Sequence, residues 1–252
     1  MSYQFESRHY KGFGIHSPFV FYLVREIFWD SHFFYAFEKI GAARNMLKKN
    51  RQIINVSTLG APSLIPGKIK TIRKLVQEGS IPDKYGKLLF RMLNKLAPET
   101  ILELGTGTGM GTLYLALPCS KAQVYSVDGN AELQGVAKSL FEVAEVNNVE
   151  LLTGSFSKHV PKVLNEIERV DFVLFDGDHR YQSTLEYFQL CLKKAHNDSV
   201  FVFDDIHWSP EMERAWSEII SHQEITVSID LFRIGIVFFR KECTKHHYVI
   251  RY

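Results

Sequence analysis

Short apolar runs alternate with longer stretches of helical spacing from about residue 85 onward. The apolar runs lack strict apolar–polar alternation, which is typical of strands that are buried on both faces. They lie at residues 100–105, 122–128, 149–154, 170–176 and 199–205. The helix-like stretches lie at residues 84–96, 109–117, 131–146, 157–167 and 180–194. This order predicts βαβ units, right-handed crossovers and a mostly parallel sheet.

The end of the chain follows a different pattern. Two further apolar runs, at residues 225–231 and 234–239, are separated only by Phe232 and Arg233. A link of this length cannot make a parallel crossover, so the two strands must pair antiparallel. The pattern therefore predicts a seven-stranded, mostly parallel α/β sheet whose last strand is antiparallel.

The front of the chain is rich in aromatic residues and has helical spacing. Ser17-Pro18 is typical of a helix N-cap and first position, and apolar residues recur every three or four positions after it. Residues 38–49 and 68–78 predict two more helices. We expect residues 1–80 to form a helical cap and residues 81–252 to form the main domain. The alternative is that the front covers a substrate pocket or forms the surface of a homodimer.

Composition excludes several classes of protein. The chain has 252 residues, of which 46% are hydrophobic and 23% charged, and its net charge of +2 gives no field that favours nucleic acid. Its three cysteines are far apart and show no C-x-x-C spacing, so neither a structural disulfide nor a zinc site is expected. The most apolar early run, residues 19–29, is shorter than the roughly 20 residues that a membrane span needs. We expect a cytoplasmic protein.

A glycine-rich turn follows the first predicted strand, in the segment TILELGTGTGMG at residues 100–111. Glycine lets the backbone approach a ligand closely, and the N–H groups of the next helix favour anionic groups. A dinucleotide fingerprint would need glycine at position 110, where the chain has Met110. The spacing is G-x-G-x-G instead. A glycine turn without any ligand remains the alternative reading of the loop alone.

This arrangement resembles motif I of the class I S-adenosylmethionine (SAM) methyltransferases, in which an acidic residue precedes three spaced glycines. Five parallel strands followed by an antiparallel pair are also similar to the Rossmann-like methyltransferase fold. The resemblance covers roughly residues 85–240. It implies that SAM binds at a set of motif positions, namely Glu103, Gly105, Thr106, Gly107 and Gly109.

Two later turns follow strands at positions where a cofactor could make further contacts. Asp128-Gly129 ends the second predicted strand, where a carboxylate can accept hydrogen bonds from ribose hydroxyls. The resemblance implies that the turn after the third strand borders the adenine ring, with Ser155 bonding it and Phe156 covering it. A capping role for Asp128 and for Ser155 is the alternative in each case.

Acidic residues follow both the fourth and the fifth predicted strands, in the segments DGDH at 176–179 and DDIH at 204–207. The carboxyl ends of neighbouring parallel strands meet at one edge of the sheet, so these carboxylates would repel one another unless a positive charge neutralises them. A hard divalent cation prefers oxygen ligands and would do so. A rim of ion pairs without a metal is the alternative.

The acidic segments resemble the cation-dependent O-methyltransferases of the catechol and caffeoyl-CoA type, and the broader group that carries D-G-D-H-x-Y. That resemblance implies Mg²⁺ or a similar cation held by Asp176, Asp204 and Asp205, with Asp176 also bordering the cofactor. Asp205 departs from the Asn usual in that family. His179 stands where the family has a basic Lys, and an imidazole suits a general base. His207 is a second candidate.

The sequence thus predicts a SAM-dependent O-methyltransferase acting on a small hydroxylated molecule, with assistance from a divalent cation. Two alternatives remain open. One is a metal-independent methyltransferase of the same fold that modifies another nucleophile. The other is a non-catalytic SAM- or nucleotide-binding module that uses its aromatic front to recruit a partner.

Overall fold

The computed structural model describes residues 12–56 and 69–252. The chain divides into two compact units. We call Met1–Ser31 together with Leu164–Tyr252 the terminal unit, and His32–Val163 the central unit. Parts of the predicted cap, residues 1–11 and 57–68, lie outside the described residues. That residues 1–80 form a helical cap on a main domain of residues 81–252 stays a prediction.

Helices and strands alternate along most of the described chain. The helices are α1 (Pro18–Leu23), α2 (Ala36–Lys49), α3 (Ile72–Glu78), α4 (Asp83–Leu96), α5 (Met110–Ala116), α6 (Ala131–Val143), α7 (Phe156–Glu166), α8 (Tyr181–Leu192) and α9 (Pro210–Ser221). The strands are β1 (Ile53–Asn55), β2 (Ile69–Thr71), β3 (Thr100–Leu104), β4 (Gln123–Asp128), β5 (Val149–Thr153), β6 (Phe172–Phe175), β7 (Val200–Phe203), β8 (Val227–Asp230), β9 (Gly235–Phe238) and β10 (His246–Val249). Eight of these strands form one mostly parallel sheet, and β1 pairs separately with β2.

The central unit contributes three parallel strands in the order β3-β4-β5. The register pairs Ile101 with Val124 and Val127 with Leu152. Because these strands are parallel, their carboxyl ends lie on the same edge, and each ends in a turn that leads to a helix. That edge carries the glycine turn and Asp128.

The terminal unit contributes five strands in the order β10-β8-β9-β7-β6. Strands β6 and β7 are parallel, whereas β9 is antiparallel to both β7 and β8. The predicted antiparallel end is therefore confirmed, with β9 inserted beside the fifth of the parallel strands. The pattern missed β10, which pairs parallel to β8 and makes the sheet eight-stranded rather than seven-stranded.

The helices at the front of the chain follow the predicted positions closely. The Ser17 hydroxyl accepts a hydrogen bond from the backbone N–H of Val20 at 3.4 Å, and α1 continues as a π-helical turn over Val24–Phe28. The third helix begins later than predicted, because Thr71 ends β2 and its hydroxyl caps α3 by accepting from the Lys74 N–H at 3.3 Å. Helix α9 was not predicted, although Ser209-Pro210 repeats the capping pair of α1.

Candidate functional site

The glycine turn of the central unit joins β3 to α5. Gly105, Gly107 and Gly109 all have positive φ, at 110°, 52° and 82°, a region that L side chains rarely adopt. A Cβ at Gly109 would lie 2.9 Å from the Cβ of Ala137, so that glycine is required by packing. A Cβ at Gly107 would meet no atom within 4 Å. Gly107 therefore presents backbone with open space beside it, as a bound ligand would need.

Asp128 ends β4 and is held in place by this turn. Its Oδ2 accepts from the backbone N–H of Gly107 at 2.8 Å, and its Oδ1 accepts from the N–H of Asn130 at 2.8 Å. Burial raises the pKa of Asp128 above its ordinary value, although the two backbone N–H groups oppose the shift. Each oxygen keeps a further lone pair, so the fixed carboxylate can still accept from vicinal hydroxyls. Gly129 links Asp128 to Asn130.

Asn130 is a residue of this region that sequence reasoning missed. Its Oδ1 accepts from the Leu133 N–H at 3.1 Å and caps α6, while its Nδ2 donates to the carbonyl of Asn55 at 2.9 Å. The short strand β1 is thus tied to the turn that carries Asp128. An Asn directly before a helix predicts the cap, but no local signal predicts the bond to Asn55.

Glu103 lies inside the central unit rather than on its surface. It is fully buried, and its Oε2 accepts from the hydroxyls of Thr112 at 2.6 Å and Ser126 at 2.5 Å. Ser126 in turn lies 2.6 Å from the hydroxyl of Thr106. Burial raises the pKa of Glu103 to about 7, against the opposing effect of the two hydroxyls. These bonds join β3, β4 and α5 beneath the glycine turn, so Glu103 and Thr106 support the turn from within.

The turn after β5 contains the predicted adenine contacts. Ser155 is exposed and its hydroxyl lies 3.0 Å from that of Ser157, while its carbonyl accepts from the N–H of His159 and starts α7. Phe156 is half-buried. Gly154 has φ of 146°, and its N–H donates to the carbonyl of Asp128 at 2.9 Å. The geometry is that of a helix-starting turn next to Asp128, and an adenine contact stays a prediction.

In the terminal unit, the two acidic segments follow paired strand ends. Phe175 pairs with Phe203, and the N–H of Asp204 donates to the carbonyl of Phe175 at 2.9 Å. Asp176 and Asp204 therefore continue neighbouring strands, as the parallel pairing predicted. Asp205 has a left-handed φ of 54°, a conformation that Asp and Asn adopt more readily than most residues.

The carboxylates of Asp204 and Asp205, which we call the acidic rim, are paired with Arg233. Its Nε donates to Oδ1 of Asp204 at 3.0 Å and its Nη2 donates to Oδ2 at 2.8 Å, while Nη2 also lies 3.4 Å from Oδ1 of Asp205. Burial raises the pKa of Asp205, with a further rise from the Asp204 charge, whereas Arg233 lowers it. The remaining acid of the first segment, Asp178, is bound by both Nε and Nη2 of Arg180.

The predicted cation ligands do not fit a divalent metal as they stand. Both carboxylate oxygens of Asp204 are taken by Arg233, and only 1% of that side chain is exposed. Across residues 12–56 and 69–252, no three His, Cys, Asp or Glu side chains are grouped so that they could hold a metal ion. The predicted convergence of the acids is therefore present, but its countercharge is a guanidinium that sequence reasoning missed.

The two candidate bases have different surroundings. Nε2 of His179 lies 3.9 Å from Oδ1 of Asp176, and the ring lies 6.4 Å from that of Trp208. His207 is held more tightly: its Nε2 lies 2.7 Å from Oδ2 of Asp230. Its Nδ1 faces Oε1 of Glu213 at 3.4 Å.

The pKa of His207 is raised, chiefly by the hydrogen bond to Asp230, against a lowering by burial. A carboxylate near each ring nitrogen favours the imidazolium form, which has no lone pair to accept a proton. The geometry favours His179 as the proton acceptor.

Residues 102–206 match a family model described as a methyltransferase domain. Over these residues the chain is similar to a methyltransferase domain. This finding confirms the resemblance that the glycine turn and the acidic strand ends predicted. The matched segment begins in β3 and ends just after Asp205, so it spans the turns and strand ends described above.

Two animal proteins show what this domain is similar to in sequence. A protein of Rattus norvegicus named transmembrane O-methyltransferase homolog is 31% identical over 102 residues, covering 38% of this chain and 39% of that protein. The transmembrane O-methyltransferase of Propithecus coquereli is 32% identical over 111 residues, covering 42% of this chain and 39% of that protein. The match thus spans about two fifths of each of these relatives. None of the helices within residues 12–56 and 69–252 has the length and apolar character needed to cross a membrane.

Solved structures show a wider likeness in fold. The O-methyltransferase of Bacillus cereus, in complex with SAH (the demethylated product of SAM), has a TM-score of 0.60 at 19% identity and covers 82% of this chain and 92% of its own. An O-methyltransferase of Streptomyces achromogenes involved in tomaymycin synthesis, in complex with SAM, has a TM-score of 0.60 at 17% identity and covers 83% and 91%. At these identities the likeness shows the fold, and the predicted Rossmann-like methyltransferase fold is confirmed.

Proposed function

We propose that the protein transfers a methyl group from SAM to a hydroxyl oxygen of a small molecule. The observation that carries this proposal is the fixed carboxylate of Asp128 beside the open backbone at Gly107, within a segment that matches a methyltransferase domain. The solved structures of the same fold that contain SAM or SAH support the choice of cofactor. Bound SAM supplies a sulfonium methyl that is already activated toward an oxygen nucleophile.

The turns after β3, β4 and β5 hold the cofactor. Asp128 accepts hydrogen bonds from the ribose hydroxyls, in an orientation that the N–H groups of Gly107 and Asn130 fix in advance. Ser155 and Phe156 border the adenine ring. Glu103 holds the glycine turn in shape through Thr112 and Ser126 and stays out of contact with the ligand.

The turns after β6 and β7 act on the acceptor. His179 takes the proton of the acceptor hydroxyl, so that a C–O bond forms as the S–C bond breaks and the sulfonium becomes a neutral thioether. Trp208 and Phe232 are 39% and 52% exposed beside His179 and His207, and their ring faces suit a planar hydroxylated acceptor. A divalent cation is left out of this proposal, because Asp204 already has a countercharge.

The test is to incubate the protein with SAM and a panel of small phenols and alcohols, and to measure SAH and methylated product by mass spectrometry. His179→Gln should lower kcat by about 10²–10⁴ and leave SAM affinity unchanged. His246→Gln, at an exposed histidine of the same unit, is the matched control and should have no effect. Binding of SAM without turnover of any acceptor would favour the non-catalytic binding module instead.

A cytoplasmic location and a homodimer through the front of the chain stay predictions of the sequence. The buried free cysteines Cys119 and Cys191 are consistent with a reducing compartment. Fractionation of cells and sedimentation of the purified chain would test these two predictions.

A further inference from the structure

The guanidinium of Arg233 reaches the acidic rim through the topology of the sheet. Strand β9 pairs antiparallel with β7, and Phe203 pairs with Gly235. Arg233 precedes Gly235 by two residues, so it lies beside the residues that follow Phe203. It thereby meets the first of these, Asp204, with two hydrogen bonds of 3.0 and 2.8 Å.

The burial of Asp204 makes a permanent countercharge necessary. Only 1% of its side chain is exposed, and an ionised carboxylate removed from water is strongly destabilising unless it is paired. A guanidinium has a planar fork that matches both carboxylate oxygens at once, which an ammonium group does not. A divalent cation at the same oxygens would have to displace this fork and would be repelled by its charge.

One nitrogen of the guanidinium is not used in this pairing. Nε and Nη2 make the bonds to Asp204 and the contact with Asp205, whereas Nη1 takes part in none of them. The Arg233 side chain is 29% exposed to solvent. Arg233 can therefore neutralise the carboxylates through Nε and Nη2 and donate a hydrogen bond to a ligand from Nη1.

We propose that Arg233 replaces the divalent cation of the resembling enzymes, neutralising Asp204 and Asp205 and donating from Nη1 to the acceptor oxygen. The part of this proposal that concerns the acceptor rests on the proposed function, whereas the part that concerns metal binding does not. A donor at the acceptor oxygen stabilises the negative charge that develops as His179 removes the proton. Methyl transfer by this chain then needs no metal ion.

The first measurement concerns the wild-type protein and Mn²⁺ alone. We expect no saturable Mn²⁺ binding by calorimetry, and a melting temperature that neither EDTA nor millimolar Mg²⁺ changes. Saturable Mn²⁺ binding at micromolar concentration that Asp204→Asn abolishes would overturn the proposal, whatever the activity. Failure to find any methylated product would count against the proposed function and would leave this binding result intact.

The second measurement uses Arg233→Ala, which removes the guanidinium from the carboxylates. We expect this variant to gain Mn²⁺ binding and a melting temperature that rises by several degrees when Mn²⁺ is added, because binding to the folded state alone stabilises it. Arg240→Ala is the matched control, since Arg240 is also 29% exposed and also pairs with two carboxylates, Asp198 and Glu242. It should gain neither property.

The outcomes separate charge replacement from an ordinary salt bridge. If Arg233→Ala folds and binds no Mn²⁺, the carboxylates do not form a cation site and the proposal is wrong. If Arg233→Ala does not fold, Arg233→Lys carries the test. This variant keeps the charge and should exclude Mn²⁺ like the wild type, and Mn²⁺ binding by it would overturn the proposal. With an accepted acceptor, Arg233→Lys should lower kcat by about 10²-fold or more through loss of the aligned donor, and should leave SAM affinity unchanged.

Discussion

His207 and Asp230 form a close ion pair, with Nε2 of the imidazole 2.7 Å from Oδ2 of the carboxylate. Asp230 is 96% buried, since only 4% of the residue is exposed, and its Oδ1 accepts from the N–H of Phe232 at 2.7 Å. The pair therefore fixes the end of β8 and the link that carries Arg233. The pairing of His207 with Asp230 therefore contributes to the stability of the fold.

This pair predicts a pH dependence of stability. The pKa of His207 is raised in the folded state, so its contribution is fully present below the unfolded pKa of about 6.5 and is lost as pH rises through the folded pKa. His207→Asn should cost roughly 1.5–3 kcal/mol at pH 6 and less at pH 9, measured by urea unfolding. His246→Asn is the control. An equal loss at both pH values would show that the imidazole is not charged in the folded protein.

Asp128 gives a direct test of cofactor binding. Asp128→Ala removes both oxygens from the end of β4 and should weaken SAM binding by roughly 1.5–3 kcal/mol, measured by calorimetry. Asp198→Ala, at an exposed aspartate of the terminal unit, should leave SAM affinity unchanged. If Asp128→Ala binds SAM as tightly as the wild type does, the ribose assignment is wrong.

Two glycines of the same turn should respond differently to alanine. Gly109→Ala combines a φ of 82° with a Cβ 2.9 Å from Ala137, so it should lower the melting temperature strongly. Gly107→Ala has no steric neighbour and should cost only about 1–2 kcal/mol for its left-handed φ, but it should weaken SAM binding.

Gly135→Ala provides the control for both variants. Gly135 lies inside α6 with open space around it, and alanine there should stabilise the protein by about 0.5–1 kcal/mol. If Gly107→Ala unfolds the protein as Gly109→Ala does, the predicted difference between the two glycines is wrong.

Glu103 predicts a second pH dependence of stability, which arises from the burial of a carboxyl group rather than from an ion pair. Its folded pKa of about 7 is higher than the ordinary value of 4.5 for a glutamate, because burial disfavours the carboxylate. The folded state therefore holds a proton that the unfolded state has released, and stability falls as pH rises from about 4.5 to 7.

Glu103→Gln should remove this fall. A shift of this size corresponds to about 3 kcal/mol between pH 4.5 and 8. The measurement is urea unfolding across that range, with the exposed Glu145 changed to Gln as the control. An unchanged slope in Glu103→Gln would assign the effect to other groups.

Removing residues 1–80 should damage the central unit. Phe34 and Phe37 pack against Phe90 at 5.1 and 4.9 Å between ring centroids, and Phe90 is only 3% exposed. Arg44 also donates from Nη2 to the carbonyl of Ile81 at 3.0 Å. The truncated chain of residues 81–252 should aggregate or melt at a lower temperature in differential scanning fluorimetry. A truncated monomer that melts unchanged and binds SAM would make the front a detachable recruitment module.

The periodic part of the fold could be predicted because its strands are continuous apolar runs. Strand β10 could not, because its sequence His246-His247-Tyr248-Val249 is polar and its burial depends on pairing with β8. Helix α9 was not predicted, although Ser209-Pro210 is a capping pair that marks its start.

The candidate site was predicted only in part, for a related reason. Asp128, Asp176 and Asp204 follow directly from strand ends, which a linear pattern reveals. Arg233 lies 29 positions after Asp204, and only the antiparallel insertion of β9 brings it back to that strand end. The link between β8 and β9 carries a single cation, and the pairing of β9 with β7 brings that link to the acidic strand end.

The pairing of Arg233 with Asp204 makes the countercharge of this rim part of the polypeptide. The occupancy of a metal site follows the concentration of free ion in the surrounding medium, and chelators or competing ions empty it. A guanidinium attached through the backbone is present at full occupancy whenever the chain is folded. The charge balance at these strand ends is therefore encoded in the sequence and does not depend on the concentration of metal ions around the protein.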